Sequence, residues 1–164
     1  MSAHLDSKIR VPSFVGLFNP LTKRLLRTGV PLGPNALLTV TGRKSGVPRT
    51  TPVALVEVGG KRWIIGTFGE VNWVRNLRVA GEATIQVGKK SERINAVELT
   101  TTQASGFFAD ILSPYVRSLR VGSLLLSALG AGEILEDPDG AARRRPVFEL
   151  QPTVDFGPRR SMPR

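Results

Sequence analysis

Thr50-Thr51-Pro52-Val53-Ala54-Leu55-Val56-Glu57-Val58-Gly59-Gly60-Lys61-Arg62-Trp63-Ile64-Ile65-Gly66-Thr67 reads as two strands joined by a two-residue turn. Branched and aromatic residues run on both sides of Gly59-Gly60, and paired glycines suit a tight hairpin turn. Pro52 cannot donate to a ladder, so its strand is expected to be an edge, or bulged, where it begins. Upstream, residues 36–41 alternate branched and small side chains, form a further strand and lead into a basic turn. Downstream, Ala83 to Val87 and Glu92 to Leu99 form a second hairpin around Gly88-Lys89-Lys90, and residues 143–152 supply a last strand. Many short antiparallel strands with two or three helices point to an α+β protein built on a small closed β-barrel, because closure removes exposed strand edges.

Helix signals fall between and before these strands. Asn72 is the expected N-cap of a short helix through Val79, closed by Gly81. Thr100 or Thr101 caps a second helix through about Leu112, which Pro114 breaks. Residues 11–28 carry apolar side chains at helical spacing with basic residues beside them, divided at Pro20. Such a segment can rest on an anionic bilayer or cover the core with its apolar face. The expected organisation is an amphipathic helical segment and linker at 1–34, a cofactor-binding barrel at 35–153 and a basic tail at 154–164.

Composition narrows the chemistry. A chain of 164 residues can bury a core as one domain without staples. It has no cysteine, which excludes disulfides, thiolate catalysis and cysteine-ligated metals. His4 is its one histidine and stands near the N-terminus, so a Ser-His-Asp triad or a histidine-ligated zinc is not expected. No run reaches the roughly 20 apolar residues of a spanning helix, and no signal peptide is read, so the expected location is cytoplasmic, with peripheral contact at the inner face of the membrane left open.

The net charge of +10 calls for an anionic partner. Nucleic acid is not favoured, since aromatic residues are few and no helix-turn-helix or ring-rich sheet pattern is present. Part of the charge lies in Arg143-Arg144-Arg145 and in Arg159, Arg160 and Arg164, read as strand flanks and a solvated terminus. A sharper concentration lies in Thr41-Gly42-Arg43-Lys44-Ser45-Gly46-Val47-Pro48-Arg49, where three cations and two hydroxyls share one hairpin and two glycines let the backbone approach a ligand. Such a turn can receive phosphate or clustered carboxylates, or stand as a solvated surface loop.

That turn, followed by a strand, a hairpin and then Asn72-Trp73-Val74-Arg75-Asn76-Leu77-Arg78, resembles the deazaflavin-dependent nitroreductase and quinone-reductase family of actinobacteria. The likeness runs from about Leu37 to Leu99. It implies a split β-barrel fold and coenzyme F-420, in preference to FMN, as the cofactor. By the same resemblance Arg43, Lys44, Ser45 and Arg49 hold the phosphate and oligoglutamate tail, and Gly66, Thr67 and Phe68 lie along the deazaflavin ring. Trp73 and Asn76 open the short helix near ring and phosphate. The loop before Trp73 is short, and Tyr115 stands alone where the nitroreductase subgroup has several tyrosines.

The implied function is hydride transfer from reduced coenzyme F-420 to a small conjugated acceptor, a quinone, enone or nitroaromatic. The cofactor carries the chemistry, so the lack of Cys and the scarcity of His are no obstacle. Tyr115 is a candidate proton donor, or a core ring with its hydroxyl at the surface; a Ser, a Thr or solvent could serve instead. The alternative is a non-catalytic relative that holds a fatty acid or other lipid, for which Leu124-Leu125-Leu126 and the N-terminal segment speak. Trp63 is expected in the core, and Gly130-Ala131-Gly132 follows no strand and is no dinucleotide loop.

Overall fold

A computed structural model of the protein describes residues 36–118 and 132–153. Six antiparallel strands, β1 (Ala36–Thr41), β2 (Pro48–Val58), β3 (Lys61–Ile65), β4 (Glu82–Val87), β5 (Lys90–Glu98) and β6 (Val147–Pro152), close into a barrel in the order β1-β2-β3-β6-β5-β4. The expected barrel is therefore present. The segments 1–34 and 154–164, the Leu124-Leu125-Leu126 run and Gly130-Ala131 lie outside the described residues.

Local turn chemistry sets the hairpins. Gly59 and Gly60 have φ of 59° and 77°, the positive pair that matches a two-residue turn to strand twist, and Val58 pairs with Lys61 across it. The second hairpin is tighter than expected, because Val87 already pairs with Lys90 and only Gly88-Lys89 connect them. Pro52 pairs with Leu37 on one side, while the ladder to β3 begins only at Ala54. Its missing N–H thus falls where β2 has a single neighbour, which is how a closed barrel tolerates it.

Strand alternation divides the apolar residues into two layers. Leu38, Val40, Leu55, Ile64, Ile85, Ile94 and Phe148 fill the barrel interior. Helix α1 (Asn72–Ala80) adds Trp73, Val74 and Leu77 to that same cluster, so it packs its apolar stripe on the barrel beside β1 and β4. Val56, Trp63, Ile65 and Val147 point outward instead, beneath a layer of helices. Trp63 is core as expected, but core of this outer layer, with its ring centroid 5.3 Å from that of Phe107.

The helical layer departs from expectation in three places. Asn72 is the first residue of α1 rather than its cap; Val71 occupies the cap position and offers no side-chain bond. Gly81 closes the helix in the left-handed conformation, φ 67°, as expected. The second helix does start on a Thr100–Gln103 capping box, but Pro114 does not break it. Helix α2 (Thr101–Gly106) runs into a π-helical stretch, Phe107–Leu112, and on through α3 (Ser113–Ser118). The Ser113 amide and hydroxyl both donate to the Phe108 carbonyl, so the ladder has already widened by one residue where the proline enters. Residues 143–146 are not strand. After the short α4 (Glu133–Glu136), α5 (Pro138–Arg144) is capped by Asp137, whose carboxylate accepts from the Gly140 amide at 2.9 Å, and β6 starts only at Val147. Arg145 is buried between the two, not a solvated flank.

Candidate functional site

The turn from Gly42 to Val47 joins β1 to β2 and is closed by its own backbone. The Gly42 amide donates to the Val47 carbonyl at 3.0 Å and the Gly46 amide to the Gly42 carbonyl at 2.8 Å. Gly46, at φ 66°, makes the reversal. Gly42 is buried because side chains fold over it: a Cβ there would stand 2.8 Å from the Ser45 hydroxyl and 3.5 Å from Arg49 Nε. Ser45 Oγ in turn accepts from the Val47 amide at 3.3 Å. Arg49, the partner of Val40 across the ladder, lies over Gly42 beside Ser45.

The cations of this turn are not equivalent. The Arg43 amide and Nη1 both donate to Asn76 Oδ1, at 3.2 and 2.8 Å. That pair pins the hairpin to α1, and it explains why the polar Asn76 is buried at 5% exposure at the border of the apolar stripe. Lys44 and Arg49 are exposed, and neither side chain has an ion-pair partner among the described residues. The Lys44 amide is also without a partner among them. Two unneutralised cations and an open backbone N–H beside a rigidly held arginine have the chemistry to receive an anion.

The second element is the loop between β3 and α1. Its Gly66 amide donates to the Pro146 carbonyl at 2.7 Å, and the Thr67 amide turns back to Ile65 at 2.9 Å. A Cβ on Gly66 would come within 3.0 Å of the Gly69 carbonyl, 3.1 Å of Val74 and 3.2 Å of Pro146, so only glycine passes here without displacing backbone. Thr67 and Phe68 are half-buried, and the Phe68 amide has no partner among the described residues. Trp73 sits behind the loop in the barrel core, 6.1 Å from Phe148 between ring centroids, and supports α1 from within.

The structure therefore draws Arg43 and Asn76 into direct contact, with Lys44, Ser45 and Arg49 on the same hairpin. Gly66, Thr67 and Phe68 lead into the helix that carries Asn76. Tyr115 is elsewhere: half-buried in α3, it packs against the outer helical cluster. Arg75 went unremarked in the sequence. It is exposed, free of ion pairs among the described residues, and shares a face of α1 with Asn72 and Asn76 by i, i+3, i+4 spacing. Arg78 is committed to structure, held by Glu98 at 2.6 and 2.7 Å and by Glu70 at 3.1 Å. The hydrogen bonds to Glu98 push its pKa further above the usual arginine value, against a smaller opposing effect of burial.

Residues 23–118 match the family model of the F-420H(2)-dependent quinone reductases. The chain belongs to this family. A quinone reductase of this kind is an oxidoreductase, and coenzyme F-420 is the cofactor of the family. Among solved structures, the reductase resembles an F-420-H2 dependent reductase (FDR-A) at 24% identity, over 71% of this chain and 92% of that one, with a TM-score of 0.44. A chain solved as a domain-swapped dimer is 25% identical over 80% and 95% of the two chains, with a TM-score of 0.46. A pyridoxamine 5'-phosphate oxidase-related, FMN-binding protein of Nostoc punctiforme is 11% identical over 88% and 82%, with a TM-score of 0.49. No helix among the described residues is long and apolar enough to cross a membrane.

Proposed function

We propose that this reductase acts on a quinone, or on a related conjugated acceptor such as an enone or nitroaromatic, and holds coenzyme F-420 between the Gly42–Arg49 hairpin and the Gly66–Phe68 loop. The observation that carries this reading is the Arg43–Asn76 pair, which fixes a hairpin bearing unneutralised Lys44 and Arg49 against the helix that follows the loop. The residues present suit a phosphate with a carboxylate tail. Lys44 and Arg49 would meet the negative charges, and Ser45 and the Lys44 amide would donate hydrogen bonds. The half-buried Thr67 and Phe68 would flank the ring, with the Phe68 amide as a donor to its polar edge. When bound and reduced, the cofactor supplies the hydride, and the protein contributes binding, orientation and exclusion of water.

Mixing the protein with the reduced cofactor and menadione, a nitroaromatic or cyclohexenone in separate cuvettes tests the acceptor class. The expected result is protein-dependent return of the oxidised deazaflavin absorbance, fastest with the quinone. No rate above the protein-free control with any of the three would overturn the proposal.

A further inference from the structure

Arg78 spends its whole guanidinium on two carboxylates from different elements. Its Nε and Nη2 donate to the two oxygens of Glu98 at 2.7 and 2.6 Å, and its Nη1 donates to Glu70 at 3.1 Å. Glu98 stands at the end of β5, where it pairs with Phe148 of β6, and the next amide, that of Leu99, donates to the Val147 carbonyl at 2.8 Å. It is therefore fixed to the barrel. A planar fork gripped on two donors has its third donor aimed by that grip, so Glu70 meets a guanidinium whose direction the barrel sets.

Glu70 lies in the loop between β3 and α1, two residues beyond Phe68. That loop is tied at its start by the Gly66 amide, which donates to the Pro146 carbonyl at 2.7 Å. It is folded on itself by the Gly69 amide on the Gly66 carbonyl and the Val71 amide on the Gly69 carbonyl. Among the described residues, the Glu70–Arg78 bond is the one side-chain hydrogen bond from this loop to another element. Thr67 and Phe68 sit between the two ties. Arg78 and Glu70 are both partly exposed, so the pair adds little to overall stability, and its effect belongs to the loop.

We propose that Arg78 is a positioning residue for the cofactor site: held by Glu98 and acting through Glu70, it fixes Thr67 and the Phe68 amide where the ring is received, without touching the ligand itself. The inference rests on the reading above that this loop flanks the ring. A loop ordered before binding has little ordering cost left to meet when the ligand arrives, so loosening it should show as weaker affinity in a protein of unchanged fold.

Amide hydrogen exchange of the ¹⁵N-labelled full chain without ligand, and fluorescence titration with F-420, test the two halves of this separately. Glu70→Ala should speed exchange of the hydrogen-bonded Gly69 and Val71 amides and leave that of Gly46, on the basic hairpin, unchanged. The same variant should bind F-420 about two- to fivefold more weakly at an unchanged melting temperature. Glu70→Gln, which keeps an acceptor oxygen, should fall between it and the parent chain. Because Arg78 acts through Glu70, the Glu70→Ala/Arg78→Lys double variant should bind F-420 no more weakly than Arg78→Lys alone. Unchanged exchange at Gly69 and Val71, or additive losses in the double variant, would overturn the positioning role. Faster exchange with unchanged F-420 affinity would overturn it too, and only this last result would also take the ring away from the loop.

Discussion

Replacing Lys44 and Arg49 together by alanine is expected to weaken F-420 binding by two or more orders of magnitude while leaving the melting temperature nearly unchanged. Removing each charge-assisted hydrogen bond to the cofactor should cost roughly 1.5–3 kcal/mol of binding. Both side chains are exposed and make no ion pair within the described residues, so their removal should change stability by no more than about 0.5 kcal/mol each. Arg43 would be a poorer choice for this experiment. Its bonds to Asn76 hold the hairpin on α1, so its loss would mix ligand binding with displacement of the turn. Fluorescence titration of the double variant against the parent chain decides the matter, and equal affinities in two equally stable proteins would remove these residues from the cofactor's receptor.

The largest stability effect should come from Phe148→Ala. The ring is 1% exposed inside the barrel, on a strand paired to both β3 and β5, and it meets Trp73. Truncating a buried phenylalanine typically costs about 3–5 kcal/mol, as transfer free energy plus the cavity left behind. For a chain of this length that corresponds to a fall in Tm of roughly 6–20 °C. Circular dichroism melts would show it. Trp73 stands at the start of α1, so the cavity also lies under the helix that carries Asn76, and cofactor affinity should fall in the folded variant too. A loss below about 1 kcal/mol would mean that the Phe148–Trp73 pair does not support the helix.

Both hairpins were legible because their signals are local: branched residues in period two around Gly59-Gly60, and the same around Gly88. Barrel closure is less so, since it depends on β1 pairing with β4 across the whole of the intervening hairpin and helix, which no local pattern encodes. The missed helix α5 did leave a signal. Asp137-Pro138 is an N-cap followed by a proline at the first helical position, and two arginines fill the last turn, but the neighbouring strand residues drew Arg143 to Arg145 into β6. The persistence of the helix past Pro114 had no such mark, because the π-helical stretch that accommodates it keeps its apolar residues close to ordinary helical spacing. At the site, the cations could be read from the chain but their employment could not. Arg43 is tied to a residue 33 positions away and Arg78 to one 20 positions away, and only those bonds separate a structural arginine from an available one.

If the basic hairpin serves the cofactor, it serves one with more negative charge than a single phosphate. A side-by-side titration of the full chain with F-420 and with FMN, at one salt concentration, tests it most directly. The expected result is saturable F-420 binding that is clearly tighter than FMN binding and that weakens as salt rises, because exposed charge pairs are screened over about 8–10 Å at physiological ionic strength. FMN binding equal to or tighter than that of F-420 would contradict it.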